Sequence, residues 1–177
     1  MGRYLYGPLT RLGLIVAAIA CALDQAVKLW LTFGFDLANK GLVHLTSFLA
    51  FVLTWNPGIS YGLFPQDTDF GRYTLLALKT GAVVILWVWL ARAETKLTAL
   101  SLGLIIGGAF GNAIDRLAYG AVMDFVLFHI TTPGFNFTWY VFNLADAAIV
   151  AGVIGLLYES LLGGTPQKRP EIGRAHV

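Results

Sequence analysis

Four long apolar segments constrain the fold of this chain more than any other feature of its sequence. They cover residues 12–33, 73–91, 97–117 and 140–161. An α-helix needs about 20 residues to cross the hydrocarbon core of a bilayer, and each segment has about that length. Charged residues make up only 12% of the chain, about half the share that is usual in a soluble domain. We therefore predict a membrane α-helical protein with four transmembrane helices.

Basic residues occur before the first segment, between the second and the third, and after the fourth. They are Arg3, Arg11, Arg92, Lys96, Lys168, Arg169 and Arg174. With an even number of spans these three places lie on one side of the membrane, and the positive-inside rule makes that side the cytoplasm. We therefore predict cytoplasmic N and C termini, with residues 34–72 and 118–139 on the outer side.

The two outer connections have compositions typical of strands and turns. Residues 42–55 are rich in Leu, Val, Phe, Thr and Trp and contain no glycine or proline, which favours a strand. Residues 125–130 and 135–139 flank a Thr-Thr-Pro-Gly turn signal and are predicted to be two short strands. These strands together predict a small sheet lying on the membrane.

The length of 177 residues corresponds to about one domain. We predict a single membrane-embedded domain over residues 1–162. Residues 163–177 are polar and contain proline and glycine, so we predict a disordered cytoplasmic tail. The last six residues, 172–177, match what a common sequencing adapter encodes in one reading frame. We interpret them as read-through and give them no functional role.

Several classes of site are excluded by the residues that the chain contains. The single cysteine, Cys21, rules out an internal disulfide and a cysteine-based zinc site. His44, His129 and His176 are far apart in the sequence and form no HExxH motif. The net charge of +2 comes without a basic stripe, so nucleic acid is not an expected partner. We predict no metal and no cofactor.

Three acidic residues, Asp115, Asp124 and Asp146, lie in or beside strongly apolar segments. An ionisable residue there is costly unless it faces protein or water, so a functional site is the default interpretation. Asp146 falls in the first turns of the fourth predicted helix, and Asp124 lies just beyond the third, at the same surface. Two carboxylates in a partly desolvated place share a proton, an arrangement that suits peptide hydrolysis. We predict that Asp124 and Asp146 form a catalytic pair.

Polar residues near this pair have both a structural and a functional interpretation. Asn56 is either a turn residue in Asn-Pro-Gly or an amide that holds a substrate peptide. Asp115 and Arg116 are either an ion-paired helix terminus or a group that positions the substrate. Asn143 and Asp146 are three residues apart, which predicts that both project from one face of the fourth helix.

Asp24 and Lys28 lie four residues apart in the first segment, so they share a helical face and can neutralise each other. We favour a structural role, in which the pair packs the helix bundle, over a role in supporting the outer end of the site. Removing Asp24 alone is then expected to leave Lys28 unpaired, and removing both to restore stability. Gly103, Gly107 and Gly111 form a face for close helix packing, which we assign to the bundle rather than to a dimer. We therefore expect a monomer.

Four motifs follow one another between residues 24 and 149. They are Asp24-Gln25-x-x-Lys28, Asn56-x-Gly58-x-Ser60-Tyr61, Gly107-Gly108-Ala109-x-Gly111-Asn112-x-x-Asp115-Arg116-x-x-x-Gly120-x-Val122-x-Asp124-Phe125, and Phe142-Asn143-x-Ala145-Asp146. In this order they closely resemble the lipoprotein signal peptidase (signal peptidase II) family. The resemblance implies a four-helix aspartyl protease of the bacterial inner membrane. It also implies a small extracytoplasmic β-cradle and an active site at the periplasmic face.

The resemblance further implies a substrate and a set of site residues. The substrate is expected to be a diacylglyceryl-modified prolipoprotein, cut just before its lipidated cysteine. Asp124 and Asp146 are expected to be the catalytic dyad. The residues expected to line the site are Asn56, Asn112, Asp115, Arg116 and Asn143. Many relatives have a proline just before the last motif, whereas this chain has Tyr140-Val141, so it departs from the family where the fourth helix begins.

A small proton-coupled membrane transporter subunit is the alternative function. Its relay of acids is expected to cross the midplane of the membrane, with repeat symmetry between two halves of the chain. This chain has no internal repeat, and its acids cluster at the outer ends of the predicted helices. A scaffold that only packs through its glycine face would leave this polar cluster unexplained. We therefore favour the protease, with prolipoprotein and membrane lipid as partners.

Overall fold

The structure is a computed structural model, and it describes residues 5–57 and 81–162. In those two ranges the helices, in chain order, are α1 (Thr10–Leu29, continued by a π-helical turn at Trp30–Gly34), α2 (Leu37–Lys40), α3 (Gly81–Ala91), α4 (Lys96–Tyr119) and α5 (Leu144–Leu162). Three of them are long and apolar enough to cross a membrane: α1 with its π-helical turn, α4 and α5. The predicted class of membrane α-helical protein is therefore confirmed.

Two predicted regions lie wholly or partly outside the described residues. The second predicted span begins at residue 73, and only its part from Gly81 onward is described, as the shorter apolar helix α3. The predicted tail, residues 163–177, is not among the described residues. The motif residues Gly58, Ser60 and Tyr61 are outside them as well.

Glycines on α4 allow that helix to pack closely between α1 and α5. A Cβ atom at Gly107 would overlap the carbonyl oxygen of Ala17 on α1. A Cβ atom at Gly108 would overlap the carbonyl oxygen of Ala145 on α5. The glycine face predicted for bundle packing is therefore used inside the bundle, and α4 is its central helix.

The outer connections form one antiparallel sheet with the strand order β1-β2-β3-β4. Its strands are β1 (Val43–His44), β2 (Leu49–Asn56), β3 (Val122–Thr132) and β4 (Phe135–Thr138). The single strand predicted over residues 42–55 is wrong, because a turn divides it into β1 and β2. The hydroxyl oxygen of Thr46 accepts hydrogen bonds from the backbone N–H groups of Phe48 and Leu49, which holds this turn.

The sheet is joined to the helices by a small apolar core. Leu31 and Leu37 pack against Met123 and Phe125 of β3, and all four side chains are buried. Burial of such apolar side chains contributes roughly 1.5–3 kcal/mol each. Because Met123 and Phe125 flank Asp124, this core fixes the strand segment that carries the acid.

The fourth predicted helix begins later than its apolar segment does. Phe142 forms an antiparallel bridge with Val126, in which each backbone N–H donates to the carbonyl oxygen of the other residue. This bridge keeps the chain out of helical conformation until Leu144. Asn143 therefore precedes α5, and the prediction that it projects from a face of the helix is wrong.

Candidate active site

Asn143 contacts both acids of the predicted pair. Its side-chain Nδ2 donates to Oδ1 of Asp124 over 2.7 Å. Its Oδ1 accepts from the backbone N–H of Asp146 over 2.9 Å, and its own backbone N–H donates to Oδ2 of Asp146 over 3.3 Å. Two acids that are 22 positions apart in the sequence are thus linked through one fully buried side chain.

The contacts between Asn143 and Asp146 form a capping box at the start of α5. In such a box the residue before the helix and the third residue of the helix each satisfy the backbone N–H of the other. The carboxylate of Asp146 therefore lies in the first turn of α5, where the positive end of the helix dipole favours an anion. The structure of this helix start explains why an acid is stable there.

Asn112 of α4 binds the other carboxylate oxygen of Asp146. Its Nδ2 donates to Oδ1 of Asp146 over 2.8 Å. Its Oδ1 accepts from Nδ2 of Asn143 over 3.0 Å and from Nζ of Lys28 over 3.5 Å. Both oxygens of Asp146 thus accept hydrogen bonds, one from Asn112 on α4 and one from the backbone of Asn143, and these fix the orientation of its carboxylate.

Asp124 lies in β3 and is only 3% exposed. Nδ2 of Asn56, on the neighbouring strand β2, donates to its Oδ2 over 3.3 Å. Burial raises the pKa of the Asp124 carboxyl above its ordinary value, and the nearby negative charge of Asp146 acts in the same direction. The amides of Asn56 and Asn143 and the charge of Lys28 oppose this shift. Asp124 therefore retains its proton to a higher pH than an exposed aspartic acid does.

Lys28 connects two further acids beneath this pair. Its Nζ lies 2.7 Å from Oδ2 of Asp24 and 2.7 Å from Oδ2 of Asp115. All three side chains are nearly inaccessible to solvent. The predicted Asp24–Lys28 pair is present, but Lys28 has a second carboxylate partner that the spacing on α1 did not reveal. The expectation that Lys28 becomes unpaired when Asp24 is removed is therefore wrong.

The two acids bound to Lys28 also hold the backbone beside the predicted catalytic pair. Oδ1 of Asp24 accepts from the backbone N–H of Ala145 over 2.9 Å. Oδ2 of Asp115 accepts from the backbone N–H of Met123 over 3.0 Å. Ala145 directly precedes Asp146, and Met123 directly precedes Asp124. Asp24 and Asp115 thereby fix the main chain from which the pair projects.

Gln25 is a supporting residue that the sequence interpretation did not single out. Its Nε2 donates to Oδ1 of Asp115 over 2.8 Å and to the carbonyl oxygen of Gly111 over 3.1 Å. It therefore ties α1 to α4 next to Lys28. Its position in the Asp24-Gln25-x-x-Lys28 motif is the sequence feature that could have identified it as a supporting residue.

Arg116 lies on the open side of the site. It is exposed, and its Nη1 donates to the backbone carbonyl oxygen of Asn112 over 3.2 Å. Its neighbour Asp115 is 1% exposed and bound to Lys28. Of the two, only Arg116 can meet a molecule that arrives from outside.

The histidines far apart in the sequence are partly brought together by the sheet. The rings of His44 on β1 and His129 on β3 lie 5.5 Å apart at an angle of 77°. In the described part of the chain, no group of three or more His, Cys, Asp or Glu side chains is arranged to hold a metal ion.

Comparison with known proteins gives consistent matches over nearly the whole chain. A family model described as Signal peptidase (SPase) II matches residues 16–162. Proteins named lipoprotein signal peptidase from Rhodopseudomonas palustris (strain TIE-1) and Nitrobacter hamburgensis are 59% and 58% identical to it over 160 residues. In both cases the match covers 90% of this chain and 98% of the relative.

Two solved structures of bacterial membrane enzymes share the fold. One has a TM-score of 0.66 at 22% identity and covers 92% of this chain and 99% of its own. The other has a TM-score of 0.63 at 24% identity and covers 93% of each chain. The arrangement of helices and sheet is therefore that of known membrane enzymes.

Proposed function

Because this chain belongs to the signal peptidase II family, we infer that it is a membrane aspartyl endopeptidase that removes signal peptides from prolipoproteins. Its substrates are diacylglyceryl-modified, and the cut falls just before the lipidated cysteine. Family membership gives no support to the alternative of a proton-coupled transporter subunit.

We propose that Asp124 and Asp146 are the catalytic dyad. The observation that carries this proposal is Asn143, whose side-chain amide donates to the carboxylate of Asp124 while its backbone N–H donates to the carboxylate of Asp146. The carboxylate of Asp146 lies in the first turn of α5 and accepts a hydrogen bond from Nδ2 of Asn112. Burial favours the protonated form of Asp124. In the resting enzyme, Asp124 therefore carries the proton that the two acids share.

The reaction follows from this distribution of protons. Asp146 takes a proton from a water molecule while the water oxygen attacks the scissile carbonyl carbon. Asp124 donates its proton to the carbonyl oxygen, so that a neutral tetrahedral intermediate forms. When the intermediate collapses, its C–N bond breaks, the amine nitrogen takes the proton held by Asp146, and Asp124 recovers its own proton. Both carboxyl groups then have their starting protonation states.

The remaining predicted site residues divide into two groups. We propose that Asn56 and Arg116, which are at least partly accessible, contact the substrate directly. Asn112 and Asn143 hold the two carboxylates and reach the substrate only through them. Asp115, with Asp24 and Lys28, is buried and supports the backbone of the dyad. This modifies the predicted substrate contact of Asp115, because its carboxylate is already occupied.

The placement in the membrane is also part of the proposal. We propose four spans, with α3 belonging to the second of them, and both termini in the cytoplasm. The site then lies at the periplasmic face of the inner membrane, since Asp124 follows the outer end of α4 and Asp146 lies at the outer end of α5. We further propose that the single domain, residues 1–162, acts as a monomer surrounded by lipid.

Purified protein incubated with a diacylglyceryl prolipoprotein tests this function. Mass spectrometry of the products should show a mature protein that begins with the lipidated cysteine. The same prolipoprotein without its lipid should stay intact. Asp124→Asn and Asp146→Asn should each abolish cleavage without loss of fold, and near-normal activity of either variant would refute the dyad.

A further inference from the structure

β2 contains a β-bulge beside the proposed dyad. Asp124 and Val126 of β3 are two positions apart, whereas their partners on β2, Thr54 and Phe51, are three positions apart. Successive side chains of a strand point to opposite faces of the sheet. The extra residue therefore reverses which side chains of β2 share a face with Asp124.

The bulge places a hydroxyl group opposite the buried acid. In a regular ladder the residue paired with Asp124 would be Leu53, whereas in the structure it is Thr54. Residues directly opposite each other in an antiparallel pair have Cβ atoms about 4.5–5.5 Å apart and share a face. Asn56, two residues further along β2, lies on that face too, as its 3.3 Å contact with Oδ2 of Asp124 shows.

Of the three residues Thr54, Asn56 and Asp124 on this face, Thr54 is the most accessible to solvent. It is exposed, whereas Asp124 is almost fully buried. Within residues 5–57 and 81–162, the hydroxyl of Thr54 makes no hydrogen bond. A hydroxyl offers one donor and two acceptor lone pairs. A peptide that reaches Asp124 from outside therefore meets an unengaged hydroxyl on the neighbouring strand.

We propose that Thr54 is a substrate-binding residue whose hydroxyl hydrogen-bonds the peptide backbone next to the scissile bond. The proposal rests on the proposed function, since it requires Asp124 to act on that bond. An extended peptide presents backbone N–H and C=O groups that need partners when it leaves water. The bulge supplies such a partner where a regular strand would offer the leucine side chain of Leu53.

Three variants test this role with the purified, full-length protein and a diacylglyceryl prolipoprotein. Thr54→Val keeps the shape and the β-branch but removes the hydroxyl, and Thr54→Ser keeps the hydroxyl. Thr138→Val makes the same change at an exposed threonine of β4, on the far side of the sheet from β2. We expect Thr54→Val to lower kcat/KM about 3- to 10-fold, the effect of losing one uncharged hydrogen bond.

The other readouts separate substrate binding from a structural effect. Thr54→Ser should keep most of the wild-type kcat/KM, and Thr138→Val all of it. The melting temperature and the pH dependence of kcat/KM should be unchanged in Thr54→Val. An unaltered kcat/KM in Thr54→Val, an equal loss in Thr54→Ser, or a shifted pH profile would each overturn the proposal. Asp124→Asn is assayed in parallel. Its activity tests the catalytic role of Asp124 and is independent of Thr54, so the proposed dyad and the proposed role of Thr54 can fail separately.

Discussion

Asp24 and Asp115 hold matching positions, because each accepts a hydrogen bond from the backbone N–H of the residue that precedes one acid of the proposed dyad. Asp24 binds Ala145, next to Asp146, and Asp115 binds Met123, next to Asp124. Lys28 lies between the two and pairs with both. The dyad is therefore built on a second, buried pair of acids that share one lysine.

This arrangement predicts how the supporting cluster responds to substitution. Removing one partner of a buried ion pair costs about 3–5 kcal/mol. We expect Asp24→Ala to fall at the lower end of that range, because Lys28 retains Asp115. Adding Lys28→Met should not restore stability, since Asp115 is then left buried without its lysine. Thermal unfolding in detergent measures both, and a double variant more stable than Asp24→Ala would contradict the shared role of Lys28.

Asn143 should show separate effects on stability and activity. Asn143→Ala removes the cap of α5 and should cost about 0.5–2 kcal/mol of stability. Asn143→Ser keeps a capping oxygen but has no amide to donate to Asp124 and Asn112. We therefore expect Asn143→Ser to melt close to the wild type while its cleavage rate falls at least as far as that of Asn143→Ala. If Asn143→Ser cleaved normally, the link between the two acids would not matter for catalysis.

The pH dependence of cleavage should follow the proton on Asp124. In the proposed mechanism Asp124 must be protonated and Asp146 ionised, which gives a bell-shaped profile of kcat/KM. The alkaline limb is the loss of the proton from Asp124. The amide of Asn56 lowers the pKa of Asp124, so Asn56→Ala should raise it and move the alkaline limb to higher pH. Asn136→Ala, at an exposed position of β4, should leave the profile unchanged, and an alkaline limb that does not move in Asn56→Ala would count against this assignment.

The stability of the fold should also depend on pH through Asp124. A carboxyl whose pKa is raised by folding binds its proton more tightly in the folded chain than in the unfolded one. The free energy of unfolding therefore falls as the pH rises from the ordinary carboxyl value through the raised one. In Asp124→Asn this part of the decrease should be absent. Unfolding measured across that pH range compares the two proteins, and identical slopes would show that burial of Asp124 has no such consequence.

The helix packing offers a prediction with an internal control. Gly107→Ala would drive a methyl group into the backbone of α1, so we expect a loss of about 1–3 kcal/mol from overpacking. Gly81→Ala on α3 meets no atom within 4 Å and should be neutral or slightly stabilising. Melting temperatures that rank the two variants in the opposite order would show that α1 and α4 do not approach this closely.

Local sequence signals were enough to predict the membrane class and the acids of interest. Asp115, Asp124 and Asp146 were conspicuous because carboxylates are rare beside long apolar segments. The pairing of Asp24 with Lys28 followed from one turn of helix. Each of these predictions depends on residues that are close in the chain or on simple composition.

The features that were missed depend on contacts between distant parts of the chain. Asn143 lies outside α5 because Phe142 bridges to Val126, and no pattern within the apolar segment reveals that bridge. The second partner of Lys28 is 87 positions away, on α4. The bulge in β2 depends on the register with β3. Spacing within one element cannot report any of these.

The hydrogen bond between Asp24 and Ala145 joins residues 121 positions apart. During synthesis, α1 emerges long before α5, so the main chain beside Asp146 stays without this support until both helices have entered the membrane and met. With Asp146 as a member of the proposed dyad, the site is complete only at the end of the protein's own assembly. We therefore expect an incompletely inserted chain to be inert, even in contact with lipid-modified precursors.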